Sequence, residues 1–120
     1  MPRRIIALVD DMFFIAKIRG TAEGAGVSVH FARSIGAVCE MAAKEPTSLI
    51  IVDLQTQCGD PFELAKRLKS DEHLKSIPLL GFFSHVQTAL LQQAEQAGFD
   101  RILPRSSFSK NLSQILGGSF

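Results

Sequence analysis

The sequence predicts an α/β domain, a doubly wound three-layer sandwich in which a five-stranded parallel sheet carries helices on both faces. Two observations lead there. Ile5-Ile6-Ala7-Leu8-Val9 and Leu49-Ile50-Ile51-Val52 are unbroken apolar runs, the pattern of strands covered on both faces and hence of parallel sheets. Five strand-like segments also alternate with five helix-like ones across residues 1–120. That alternation calls for right-handed crossovers between neighbouring parallel strands.

Each element has its own signal. After Asp11, the residues Phe14, Ile15, Ile18, Ala22 and Ala25 follow a helical period, with Gly24 and Gly26 as stops. Val27 to Ala32 reads as a short strand. Ser34 can cap a second helix that runs to about Lys44, where Glu45-Pro46 ends it because the residue before proline avoids helical dihedrals. Following the Leu49 strand and a polar loop, Asp60-Pro61-Phe62-Glu63 combines a capping aspartate, proline in the first helical position and an early acidic residue. This helix is expected to bury Phe62, Ala65 and Leu68. Leu79 to Phe83 forms the fourth strand, and Val86, Leu90, Leu91, Ala94 and Ala97 give the next helix an apolar face ending at Gly98. Arg101 to Leu103 is the last strand, and Ser107 is placed to cap a final helix bearing Phe108, Leu112, Ile115 and Leu116.

The apolar strands end in carboxylate: Asp10-Asp11 after the first and Asp53 after the third. Ligands of open parallel sheets sit beyond the carboxyl ends of the strands, so these three groups should converge on one pocket. Like charges that close are tolerable at neutral pH only with a proton or cation among them, and hard oxygen ligands that leave room for water suit magnesium. Metal-assisted phosphate chemistry is the expectation. The bland alternative gives Asp10-Asp11 no role beyond capping a helix and favouring its dipole. Ser84-His85-Val86-Gln87 satisfies a capping box in the same way.

Composition narrows the classes. At 120 residues and 46% apolar content, one domain can build a core without disulfides. The 13 basic against 12 acidic residues leave a net charge of +1, with no basic run beyond Arg3-Arg4, so a nucleic-acid footprint is missing. No segment reaches the roughly 20 apolar residues of a membrane span. Asp10 and Asp11 interrupt the apolar start before it reaches the length of a signal peptide, and a cytoplasmic setting is the expectation. Cys39 and Cys58 lack metal-ligand or redox spacing and read as reduced thiols. His30 and His73 are expected to face solvent, and Phe13, Phe14, Phe82 and Phe83 to lie in the core or at its rim.

Taken in order, Val9-Asp10-Asp11, Val52-Asp53-Leu54, Ile77-Pro78-Leu79-Leu80, Ser84 and Ala97-Gly98-Phe99-Asp100 make the chain resemble a response-regulator receiver domain over nearly its whole length. The resemblance implies the flavodoxin-like version of the predicted fold. It also implies that Asp53 is the phosphoacceptor, that Asp10, Asp11, Asp53 and the backbone carbonyl of Gln55 hold magnesium, and that the Ser84 hydroxyl bonds the phosphoryl group. The implied partners are a histidine kinase or phosphotransfer protein and a downstream protein target. A weak homodimer is compatible with it, and the domain would act in signalling rather than as an enzyme.

Several positions depart from the family pattern. Arg105-Ser106 replaces the usual Lys-Pro, and the guanidinium could bridge Asp53 directly. Ile102 stands where an aromatic switch residue is expected, and His85 where a small residue usually follows the hydroxyl. The loop Gln55-Thr56-Gln57-Cys58-Gly59 lacks Met-Pro. These departures keep a second reading open, a pseudo-receiver that binds partners irrespective of phosphorylation. A magnesium phosphatase with Asp53 as nucleophile has little support, because Gln55 occupies the place of its second aspartate.

Overall fold

The computed structural model describes residues 3–84 and 88–118. Its elements run β1 (Arg4–Leu8), α1 (Met12–Ala25), β2 (Ser28–Phe31), α2 (Ile35–Lys44), β3 (Leu49–Asp53), α3 (Pro61–Ser70), β4 (Leu79–Phe83), α4 (Thr88–Ala97), β5 (Arg101–Pro104), α5 (Arg105–Lys110) and α6 (Leu112–Gly117). The strands form a single sheet in the order β2-β1-β3-β4-β5, and every pairing is parallel. This is the predicted doubly wound sandwich.

Alternation along the strands divides the core in two. Ile6, Leu8, Ile50 and Val52 face one way, onto Val38 of α2, Leu64 and Leu68 of α3 and Ala94 of α4. Ile5, Ala7, Ile51, Leu80 and Phe82 face the other, onto Phe14 and Ile18 of α1, Phe108 of α5 and Ile115 of α6. Because successive side chains of a strand point to opposite faces, an unbroken apolar run is what two buried faces require. On the second face Phe82 stacks on Phe108 at 4.3 Å between ring centroids, with Phe14 tilted against both.

The helix starts follow the sequence signals closely. Asp11, Ser34 and Asp60 cap α1, α2 and α3 through their side chains, and Pro61 occupies the first turn of α3. Gly26 ends α1 at φ 69°, a left-handed conformation that costs glycine little. Gly81 has a packing role: a Cβ there would lie 2.9 Å from the Leu54 side chain and 3.1 Å from Phe99. Its lack of a side chain lets the segment after β3 settle close over β4.

Four expectations are corrected. The final helix is two helices broken at Asn111, whose dihedrals (φ −103°, ψ 13°) leave the helical region while its side-chain amide donates to the Ser107 carbonyl. Ser107 does not cap it, because α5 begins directly after Pro104 and has no side-chain cap. On α3, Leu64 is buried and Phe62 only half-buried, since the helix turns its Pro61, Leu64, Ala65 and Leu68 stripe inward. Phe13 is 64% exposed, because Phe14, Ile18 and Ala22 define the inward face of α1 and leave Phe13 beside it. The strand limits shift by one residue at most, and Leu90 and Leu91 are half-buried on α4. Val86, with His85 and Gln87, lies outside the described residues.

Candidate functional site

Reversal of strand order between β1 and β3 opens a crevice at their carboxyl ends, and Asp10, Asp11 and Asp53 are delivered there by the ends of these two strands. Together with Gln55, Gln57 and Ser84 they line one open pocket. The predicted convergence therefore holds as a matter of placement. What each group does within the pocket differs.

Asp53 is the deepest, 8% exposed at the end of a strand buried throughout. One carboxylate oxygen, Oδ1, accepts the Gln55 amide at 2.9 Å, and among the described residues nothing hydrogen-bonds to Oδ2. Burial raises the pKa of Asp53 above the ordinary aspartate range. The Gln55 amide works against that shift, the Asp10 and Asp11 charges add to it, and Arg105 opposes it.

Asp11 is the N-cap of α1: its Oδ1 accepts the amides of Phe13 (2.9 Å) and Phe14 (3.4 Å). Its Oδ2 faces Arg105 at 3.9 Å. Asp10 turns toward the loop after β3, where Oδ1 accepts the Thr56 hydroxyl and Oδ2 the Gln57 amide, each at 3.2 Å. The Ser84 amide donates to the Gln55 side-chain oxygen at 2.7 Å. Ser84 and Arg105 also line an adjoining hollow with Phe83, Pro104, Ser106 and Ser109.

Arg105 does not bridge Asp53. Its guanidinium lies over the Phe14 ring, 4.4 Å from the centroid, and near Phe13 at 6.0 Å, with Asp11 as the carboxylate partner. The planar cation meets a π face at the start of α1, a contact that a compact ammonium would make less well. Ile102 packs at the margin of the core cluster on the α4 side and brings no ring to the site.

The donor set has the chemistry of a hard-cation site, but its arrangement is not one. Among the described residues no three His, Cys, Asp or Glu side chains are grouped so as to hold a metal ion. Asp10, Asp11 and Asp53 share a pocket without sharing a ligand sphere, since both oxygens of Asp10 are committed to the loop and one of Asp11 to the helix cap. His30 and His73 are exposed and separate from this pocket, and Cys58 lies in the loop beyond it. The residues missed by sequence reasoning are Thr56 and Gln57. Their only signal is a hydroxyl and an amide in the turn after a strand-end aspartate.

No protein-family model matches the chain, and no curated protein matches its sequence. Solved structures do. The chemotaxis response regulator CheY4 of Vibrio cholerae superposes with a TM-score of 0.84 at 19% identity, each chain covered over 100% of its length. A phosphorylated cyanobacterial phytochrome response regulator, RcpA, gives 0.81 at 20% identity, covering 98% of this chain and 91% of its own. The signal receiver domain of a histidine kinase from Syntrophus aciditrophicus gives 0.76 at 17%, covering 95% and 92%. The chain therefore has the CheY-like receiver fold.

Proposed function

We propose that this chain is a receiver module of two-component phosphorelay signalling, taking a phosphoryl group on Asp53 from a histidine kinase or phosphotransfer protein and acting on a downstream protein target. The supporting observation is Asp53 itself, buried at the floor of an open pocket with one oxygen pinned by Gln55 and the other without a hydrogen bond from the described residues. That oxygen would attack phosphorus in a phosphohistidine. The P–N bond breaks, its electron pair stays on the imidazole nitrogen, which takes up a proton from solvent, and the carboxylate becomes an acyl phosphate. Ser84 would donate its hydroxyl to a phosphoryl oxygen, and Arg105 would supply positive charge from the α1 side. Magnesium would neutralise charge on the phosphoryl oxygens once Asp10 left the loop after β3 and closed with Asp11, Asp53 and the Gln55 carbonyl around the ion, since the three carboxylates share no ligand sphere in this structure.

The same reading places the protein in the cytoplasm without a nucleic-acid partner. No helix among the described residues is long and apolar enough to cross a membrane. The second reading, a phosphorylation-independent interaction module, draws on two observations: Asp10 is occupied by the loop after β3, and Ile102 offers no ring to report on Ser84. Adding beryllofluoride with magnesium while recording amide resonances separates them. The first reading expects saturable shifts at Asp53 and Ser84 that Asp53→Asn abolishes; an unchanged wild-type spectrum supports the second.

A further inference from the structure

Among the described residues, Asp53 and Thr56 are the buried polar side chains. Thr56 is three residues beyond Asp53, and its hydroxyl donates to Asp10 Oδ1 while accepting the Cys58 amide, both at 3.2 Å. Its own amide donates to the Asp53 carbonyl at 3.0 Å. The next amide, Gln57, takes the other oxygen of Asp10 at 3.2 Å. A short stretch of loop thereby ties the end of β1 to the end of β3 and uses up Asp10, while Asp53 keeps an oxygen that no described residue bonds.

We propose that Thr56 is a positioning residue that latches Asp10 onto the loop, and that a divalent cation enters the acidic pocket only from an unlatched conformation. The inference rests on the magnesium reading above and specifies how the site is regulated. In the latched state the Asp10 carboxylate is satisfied by a hydroxyl and an amide, so a cation must compete with two hydrogen bonds to a charged acceptor. The apparent affinity is the intrinsic one scaled by the unlatched fraction. Removing the hydroxyl raises that fraction. Gln57 still holds one oxygen, so the latch weakens without being abolished.

Thr56→Val keeps the shape and deletes the donor, and magnesium should bind about tenfold more tightly, the scale of one hydrogen bond to a charged group. Thr56→Ser retains the hydroxyl and should bind like wild type, which separates the latch from a general loosening of the loop. Both variants and wild type would be titrated with magnesium chloride while following amide resonances, and Gln57 amide exchange measured in metal-free buffer. Tighter binding by valine alone, with faster Gln57 exchange, is the expected result. Equal affinity for wild type and Thr56→Val, or no binding by a folded Thr56→Val, overturns the latch. Failure of the phosphoacceptor role is seen separately, as absence of phosphoryl label on Asp53 in proteins whose magnesium affinities still differ.

Discussion

Removing Arg105 tests whether this cation is anchored to α1 rather than to the phosphoacceptor. Arg105→Ala deletes a guanidinium 4.4 Å from the centroid of a ring that is 1% exposed, together with a 3.9 Å ion pair to Asp11. A partly desolvated cation–π contact contributes about 1–1.5 kcal/mol. Both ion-pair side chains are some two-fifths exposed, at 42% and 40%, and solvent screening leaves that pair about 0.3 kcal/mol. The sum, about 1.5 kcal/mol, corresponds to a fall in Tm of about 6 °C for a domain of this size. The chain has neither Trp nor Tyr, so urea unfolding is best followed by far-ultraviolet circular dichroism. A double-mutant cycle with Phe14→Leu should give a coupling of about 1 kcal/mol. The cycle with Asp11→Asn should give less than about 0.5 kcal/mol and shrink with added salt. A Phe14 coupling below about 0.3 kcal/mol would refute the stacking account.

Three further outcomes follow from the geometry. Asp53 holds its proton more tightly in the folded state than in the unfolded chain, so its contribution to stability is fully present below the ordinary aspartate range and is lost as pH rises through the raised folded pKa. Asp53→Asn removes that loss, and in metal-free buffer it should be the more stable protein at neutral pH, with the gap closing on acidification; a pH series of urea midpoints checks this. Gln55→Ala frees the Ser84 amide from its 2.7 Å acceptor and should speed its hydrogen exchange while costing about 1 kcal/mol or less. Gly81→Ala forces a Cβ to within 2.9 Å of Leu54 and should destabilise by about 1–3 kcal/mol in the same unfolding assay.

The fold was readable because its main signals are local. Apolar runs closed by Asp10 and Asp53 announced buried parallel strands, and Asp11, Ser34 and Asp60 announced helix starts, since a cap and its helix lie within one turn. The break at Asn111 was hidden by the apolar period that continues across it from Phe108 to Leu112 and Ile115. The pocket's membership was readable for the same topological reason as the sheet. Its internal wiring was not: whether Asp10 serves a cation or the Thr56 hydroxyl depends on how the loop after β3 folds back on β1, and whether Arg105 reaches Asp53 or Phe14 depends on the approach of α5 to α1. Those contacts join segments far apart in the chain, beyond any periodicity or cap.

The role assigned to Asp53 is tested most directly by chemical phosphorylation and peptide-level mass spectrometry. Wild type and Asp53→Asn would be treated with acetyl phosphate and magnesium, quenched, digested and mapped. The account predicts a single added phosphoryl group on the peptide containing Asp53, labile to hydroxylamine as an acyl phosphate is, and absent from Asp53→Asn. Wild type that stays unlabelled at saturating magnesium, or a phosphoryl group that persists in Asp53→Asn, would contradict it.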